Sequence, residues 1–440
     1  MLNTSYKINL NINDALKNEN NYFIVKKYTF NNNEYAIIKY NKENLKNIDD
    51  EELFNKVGNF RSVILRNNKV VVYSPSKSVP YNNFINKNNT TECWTEDFVD
   101  GTMINVFYDN INNSWELCTK STVGGNIVFF NDLKNYQLFD NNNNNNNNNN
   151  ITFRSMFFES CNLNNFDLNT LDKKYCYTFV MQHPFNRIVT PILTPVLYLI
   201  KMYYINDLNL DNVEISEVNI ETFYNEPPFI FMNTNIKFIN RYPITNFNDI
   251  ENHFASENAP YSCVGCMIYN KDGNRTKIRN INYENVRRLR GNQPKLQYNY
   301  LCLKQENKVK DFLQFYPEHN IIFNKFRIIV YKYTNDLYMN YINCFIKKEK
   351  PLKEYEFQYK THMFKLHEKY KTELKPNQKS VDKKCVIDYV NSLHPSQQMF
   401  VINYTFKKKV NNEDHNTNED HNTNEDHKED EYDNCDLECN

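Results

Sequence analysis

The sequence predicts an α+β protein, with mixed or antiparallel sheets over residues 21–300 followed by a helical domain. Two observations predict it. Up to residue 300, short apolar stretches alternate with polar positions and are joined by Asn, Asp and Gly turns, the period-2 pattern of half-buried strands. From about residue 305 the apolar residues recur at helical spacing. By length, 440 residues suit two domains better than one.

Taken in order, "SVILRNNKVVVYSP" reads as a hairpin closed by the polar pair Asn67-Asn68. "MINVFYDNINNSWELCTKS" reads as a second pair of strands, and "CYTFVMQ" and "VLYLIKMYYI" as single strands. "CVGCMIYNKDGNRTKIRN" is two strands around an Asp-Gly turn. Asn141 to Asn150 is a pure asparagine tract, too polar to pack, expected to form a disordered surface loop. In the helical part Phe326, Ile329, Val330, Tyr333, Leu337 and Tyr341 share one face, as do Tyr359, Met363, Leu366 and Tyr370. Pro351 and Pro376 break the pattern. The expected divisions are 1–304, 305–410 and a disordered acidic tail 411–440.

Glycine is scarce, with 7 in the chain, and asparagine is over-used, which suggests compositional drift more than a structural device. There is no 18-residue apolar run for a membrane span, and "MLNTSYKINLNINDALKNEN" lacks the apolar block of a secretory signal, so a soluble, intracellular protein is expected. Eleven cysteines without a disulfide rhythm fit a reducing, cytoplasmic setting. Cys263 and Cys266 form a lone internal CxxC on a strand pattern and read as buried thiols; no metal site is expected.

The formal charge of -1 hides a division. Residues 411–440 hold 12 Asp or Glu and one Lys, leaving 51 basic against 41 acidic residues in 1–410. A basic body with an acidic tail suits a nucleic-acid binder whose tail competes for its own binding surface. It equally suits a solubilising tail. The tail repeats "NEDHNT", and His415, His421 and His427 read as part of a solvated repeat rather than a metal site.

Five segments follow one another: "NFRSVILRNNKVVVYSPSKSVPYNNF", "FVDGTMINVFYD", "WELCTKSTVGG", "YTFVMQHPFNRIV" and "VGCMIYNKDGNRTKIRN". In this order they resemble the covalent nucleotidyltransferases, and among them the bacteriophage type of ATP-dependent RNA ligase, over residues 55–300. The resemblance implies a nucleotidyltransferase (adenylation) fold of two antiparallel sheets flanking a cleft, followed by a helical C-terminal domain. It also implies a lysine–AMP intermediate whose nucleotide passes to an RNA 5′-phosphate. That chemistry needs a lysine of lowered pKa, carboxylates for ribose and Mg²⁺, and cations on the phosphates.

The match fails where that chemistry belongs. Phe98 stands at the lysine of a KxDG motif whose Asp100 and Gly101 remain. Val180 stands at the glutamate preceding "NRIV", where Asn186 and Arg187 remain, and Val264 at the glutamate of an EG motif whose Gly265 remains. No catalytic set is therefore intact. The resemblance still assigns Arg61, Lys120, Arg187, Lys277 and Arg279 to nucleotide or phosphate binding.

A second group, Arg287, Arg288, Arg290 and Lys295 beside Tyr283, Tyr298 and Tyr300, reads as a nucleic-acid surface or as a solvated helix face with packing tyrosines. Three functions follow: a degenerate ligase-like protein binding a nucleotide or RNA end; an active ATP- and Mg²⁺-dependent ligase or guanylyltransferase using Lys77, Lys87 or Lys120; or an interaction protein whose cleft is filled.

Overall fold

Asparagine pairs close two of the hairpins. The strands Phe23–Phe30 and Asn33–Tyr40 are joined through Asn31 and Asn32, with φ of 49° and 60°. Val63–Arg66 and Lys69–Tyr73 are joined through Asn67 and Asn68, with φ of 48° and 58°. Two left-handed residues in succession make the type I′ turn that matches strand twist. Among the described residues, nine of the eleven non-glycine residues at positive φ are asparagines. At these positions asparagine serves as a turn residue in a glycine-poor chain.

The protein is known from a computed structural model that describes residues 4–128, 151–220 and 231–404. The asparagine tract and the acidic tail expected to be disordered lie outside these residues. The chain divides into two compact units that part at residues 287 and 288. The run of helices uninterrupted by strands begins at Ile281, ahead of residue 305, where the change of period had been expected. Among the described residues no helix is long and apolar enough to cross a membrane.

Among the described residues the first unit has three sheets, where two were expected. The largest places Thr4–Leu10, Asn212–Val218, Val196–Asn209, Tyr175–Gln182, Thr102–Asp109 and Ser114–Cys118 side by side, all antiparallel, with Lys237–Phe238 added in parallel beside Val196–Asn209. One core joins this sheet to the helix Phe153–Leu163 through Phe157, Phe166, Tyr177 and Phe179. Another packs Ile215 and Tyr203 against Ile38, Val63 and Tyr73 of the hairpin sheet. The third sheet runs Arg241–Pro243, Cys93–Asp97, Gly265–Asn270, Arg275–Arg279, and buries Cys266, Ile268 and Ile278 with Phe84 and Ile250 of two short helices.

The stretch "FVDG" is the crossing between sheets: the chain leaves Cys93–Asp97 of the third sheet and enters Thr102–Asp109 of the largest one through Phe98 to Gly101. The second unit is helical, with Leu296–Gln305, Val309–Phe315, Asn320–Tyr341, Phe357–Lys369 and Lys383–Ser392. Phe326, Val330, Tyr333, Leu337 and Tyr341 are buried along Asn320–Tyr341, as their spacing requires, while Ile329 is half-buried.

Candidate functional site

Asp100 organises the crossing. Its Oδ1 accepts from the Tyr283 hydroxyl at 2.8 Å, and its Oδ2 accepts from the backbone N–H of Val189 at 3.2 Å and of Thr190 at 2.9 Å. The Asp100 carbonyl accepts from the Gln182 amide at 2.8 Å. A buried carboxylate with three donors ties "VDG" to "NRIV" and to the helix Ile281–Arg290. Gly101 is required by packing: a Cβ there would meet the Met181 carbonyl at 2.6 Å and Val180 Cγ1 at 2.7 Å. Gly265, at φ 128°, has the Ile278 carbonyl 1.9 Å from where a Cβ would stand. The retained glycines are thus places where two strands approach too closely for a side chain.

Phe98, Val180 and Val264 are all buried, at 5%, 0% and 3% exposure, which makes the floor of this region apolar. Val180 packs with Val99 and Ile200. The Arg279 guanidinium lies over the Phe98 ring, 5.6 Å from its centroid, and donates to Glu284 at 2.7 Å. Arg287 holds the other Glu284 oxygen at 3.1 Å. Glu284, which the sequence reading passed over, is the counter-ion of both arginines. With Val180 and Val264 offering no oxygen and Asp100 holding three donors, these residues do not fit a Mg²⁺ site of the kind the resemblance implies.

The other expected contacts are dispersed. Lys277, opposite Met267 in the strand ladder, shares the strand face of Arg279. Arg61 is buried, with Nη1 3.7 Å from the sulfur of Met103, itself paired with Val180. Arg187 folds back on the Val189 carbonyl at 3.0 Å, and Asn186 donates to Thr102 Oγ1 at 2.6 Å. Lys120 lies over the Tyr40 ring, 5.3 Å from its centroid. Lys77 donates its backbone N–H to Gly58, and Lys87, well exposed, pairs with Glu51 at the surface. In the second group Tyr283 and Tyr300 are core residues, Arg290 is 2% exposed, Arg287 and Tyr298 are half-buried, and Arg288 and Lys295 are exposed. Tyr283 and Tyr300 therefore cannot stack on bases.

Sequence reasoning also missed a buried charge cluster two residues before Phe98. Lys201 Nζ lies 3.0 Å from Glu96 and 3.1 Å from Glu217, and Arg241 reaches Glu96 at 3.1 Å. Burial pulls the Lys201 pKa down, but Glu217 and Glu96 outweigh it and hold it above the ordinary lysine value. Burial raises Glu96, while Lys201 and Arg241 more than compensate and leave it below the usual carboxylate value. Lys201 is thus a charged structural lysine and no nucleophile. Its signal was present: a lone lysine inside the apolar run "VLYLIKMYYI".

These charges line a cleft of about 250 Å³ with apolar walls from Ile200, Phe238 and Ile239. It opens where Val196–Asn209 changes neighbours, pairing Tyr198 and Leu199 with Lys237–Phe238 and residues from Tyr203 onward with Asn212–Val218. Ile200 and Ile239 continue into the packing around Val99 and Val180, so the cleft adjoins the "VDG" crossing. No protein-family model matches the chain, and no curated protein matches it.

Proposed function

We propose that the chain has an RNA-ligase-like nucleotidyltransferase fold that no longer transfers nucleotides, and that it binds a nucleotide or the 5′-phosphate end of RNA without forming a lysine–nucleotide bond. The observation that carries this reading is the pairing of Phe98 with Arg279: the position of the implied nucleophile is a buried ring, and a cation of the "KIRN" strand is seated on it. Lys277 and Arg279 keep a cationic strand face beside that ring, which suits a phosphate group. The neighbouring cleft, apolar with a charged end, suits a ring-bearing ligand.

The test has two arms. Incubation with labelled ATP or GTP and Mg²⁺ should give no acid-labile, amine-linked adduct on a denaturing gel. Fluorescence anisotropy should show 5′-phosphorylated RNA binding without divalent metal. A stoichiometric adduct on Lys77, Lys87 or Lys120 would hand the reading to an active ligase, and absence of binding at low salt would leave an interaction protein with a filled cleft.

A further inference from the structure

The basic excess of the body is confined to one part of it. Residues 1–287 hold 27 Lys or Arg against 30 Asp or Glu, whereas residues 288–404 hold 21 against 11. The excess is densest in residues 347–384, where 12 lysines face six carboxylates and leave the segment a net charge of +6. Two ion pairs there, Lys347 with Glu349 at 3.5 Å and Lys369 with Glu373 at 3.8 Å, are long and solvent-exposed and neutralise little.

The fold gathers these lysines. Helices Asn320–Tyr341 and Phe357–Lys369 each end in a wide five-residue π turn, Ile342–Ile346 and Tyr370–Leu374. The two ends are side by side: the rings of Phe345 and His367 stack with centroids 3.9 Å apart, and Tyr341 and Tyr370 flank His367. Exposed Lys347, Lys348 and Lys350 leave one turn, and exposed Lys371 and Lys375 lie in and after the other. Burial and the charge of Lys371 lower the His367 pKa, as a cationic surround requires.

We propose that residues 411–440 of the same chain dock on this lysine-rich end of the helical unit as an internal counter-ion. The matching charge is in the sequence: 12 carboxylates against one lysine, with Glu-Asp pairs repeating every six residues at 413–414, 419–420 and 425–426. Continuity supplies the concentration. The tail follows the last described helical residue, 404, by a few positions, and 36 residues reach at most about 120 Å, several times the radius of a domain this size. Docking is electrostatic and so is lost at high salt. The inference is independent of the nucleotidyltransferase reading.

Zero-length carboxyl-to-amine cross-linking of the full chain at low salt, mapped by mass spectrometry, tests it. Tail carboxylates should link within one chain to lysines of 347–384 far more often than to lysines of 1–287, and 0.5 M NaCl should abolish the links. Replacing Lys347, Lys348, Lys350, Lys371 and Lys375 with Gln should remove most of them. Neutralising the tail carboxylates to Gln and Asn, which leaves the folded body intact, should free the face. An oligothymidylate probe would then bind about tenfold more tightly, given an effective concentration of about 1 mM and an intrinsic tail affinity of about 0.1 mM. Links scattered over both units, links only between chains, or an oligothymidylate affinity indifferent to the tail would each overturn the proposal.

Discussion

Phe98 and Asp100 separate what looks catalytic from what is structural. The resemblance places a nucleophile at position 98, and Phe98→Lys would put an amine under the Arg279 guanidinium in a buried place, where burial and a like charge both favour the neutral form. A nucleophilic amine alone is insufficient, because Val180 and Val264 still offer no oxygen to metal or ribose. We expect Phe98→Lys to show no labelled nucleotide after denaturation and to melt below the parent protein; efficient adduct formation or sealing of nicked RNA would refute the reading of several joint losses. Asp100, retained from the same motif, is explained by its hydrogen bonds to Tyr283, Val189 and Thr190. Asp100→Ala leaves buried donors without partners and should cost about 3 kcal/mol in chemical denaturation, with Tyr283→Phe costing about 1 kcal/mol. If the two losses simply add in the double variant, the hydrogen bond is not carrying the coupling.

The strand carrying Lys201 shows what an element demands of its charges. Removing one partner of a buried cluster strands the others, so Lys201→Met should destabilise by about 3–5 kcal/mol, and adding Glu96→Gln with Glu217→Gln should restore much of it. The pH dependence has a definite sign. Glu96 has a lowered pKa in the folded state, so its contribution is present above the ordinary carboxylate value and is lost as pH falls through the folded one. Lys201, raised, loses its contribution only as pH climbs above the ordinary lysine value. Acid titration of stability should therefore fall away below the ordinary glutamate pKa, and Glu96→Gln should flatten that limb; an unchanged limb would place the acid sensitivity elsewhere. Elements like this one were legible as strands, since alternation and Asn turns are local signals. Pairing was not: Cys93–Asp97 lies beside Gly265–Asn270, a partner far along the chain, and no local pattern records it. The three arginines of the second group do not share one face, for a geometric reason. On the helix Ile281–Arg290 successive residues turn by about 100°, so Arg287, Arg288 and Arg290 point different ways, and Arg290 joins Tyr283 and Val286 on the buried face.

At the scale of the whole chain, charge divides two tasks that a single affinity would blur. Residues 1–287 carry three more acidic than basic residues, so any strong, sequence-indifferent attraction to polyanions belongs to residues 288–410. Recognition of a terminal phosphate, if it occurs, belongs to Lys277 and Arg279, and there Glu284 already holds Arg279 at 2.7 Å and Arg287 at 3.1 Å. A phosphate entering that place competes with Glu284 for two guanidinium groups. Glu284→Gln should therefore raise affinity for 5′-phosphorylated RNA over 5′-hydroxyl RNA, whereas Lys277→Ala should erase the difference. Neither change should move the total salt slope by more than about 0.7 per phosphate contact, the single-strand value. Gln for Lys347, Lys348, Lys350, Lys371 and Lys375 should do the reverse, flattening the slope for both RNAs and leaving their ratio alone. Anisotropy titrations at several salt concentrations, with the chain ended at residue 410, read both quantities at once. Equal binding of the two RNAs by the parent chain, unchanged by Glu284→Gln, would remove the 5′-phosphate from the first unit and leave only the helical unit's general attraction for polyanions.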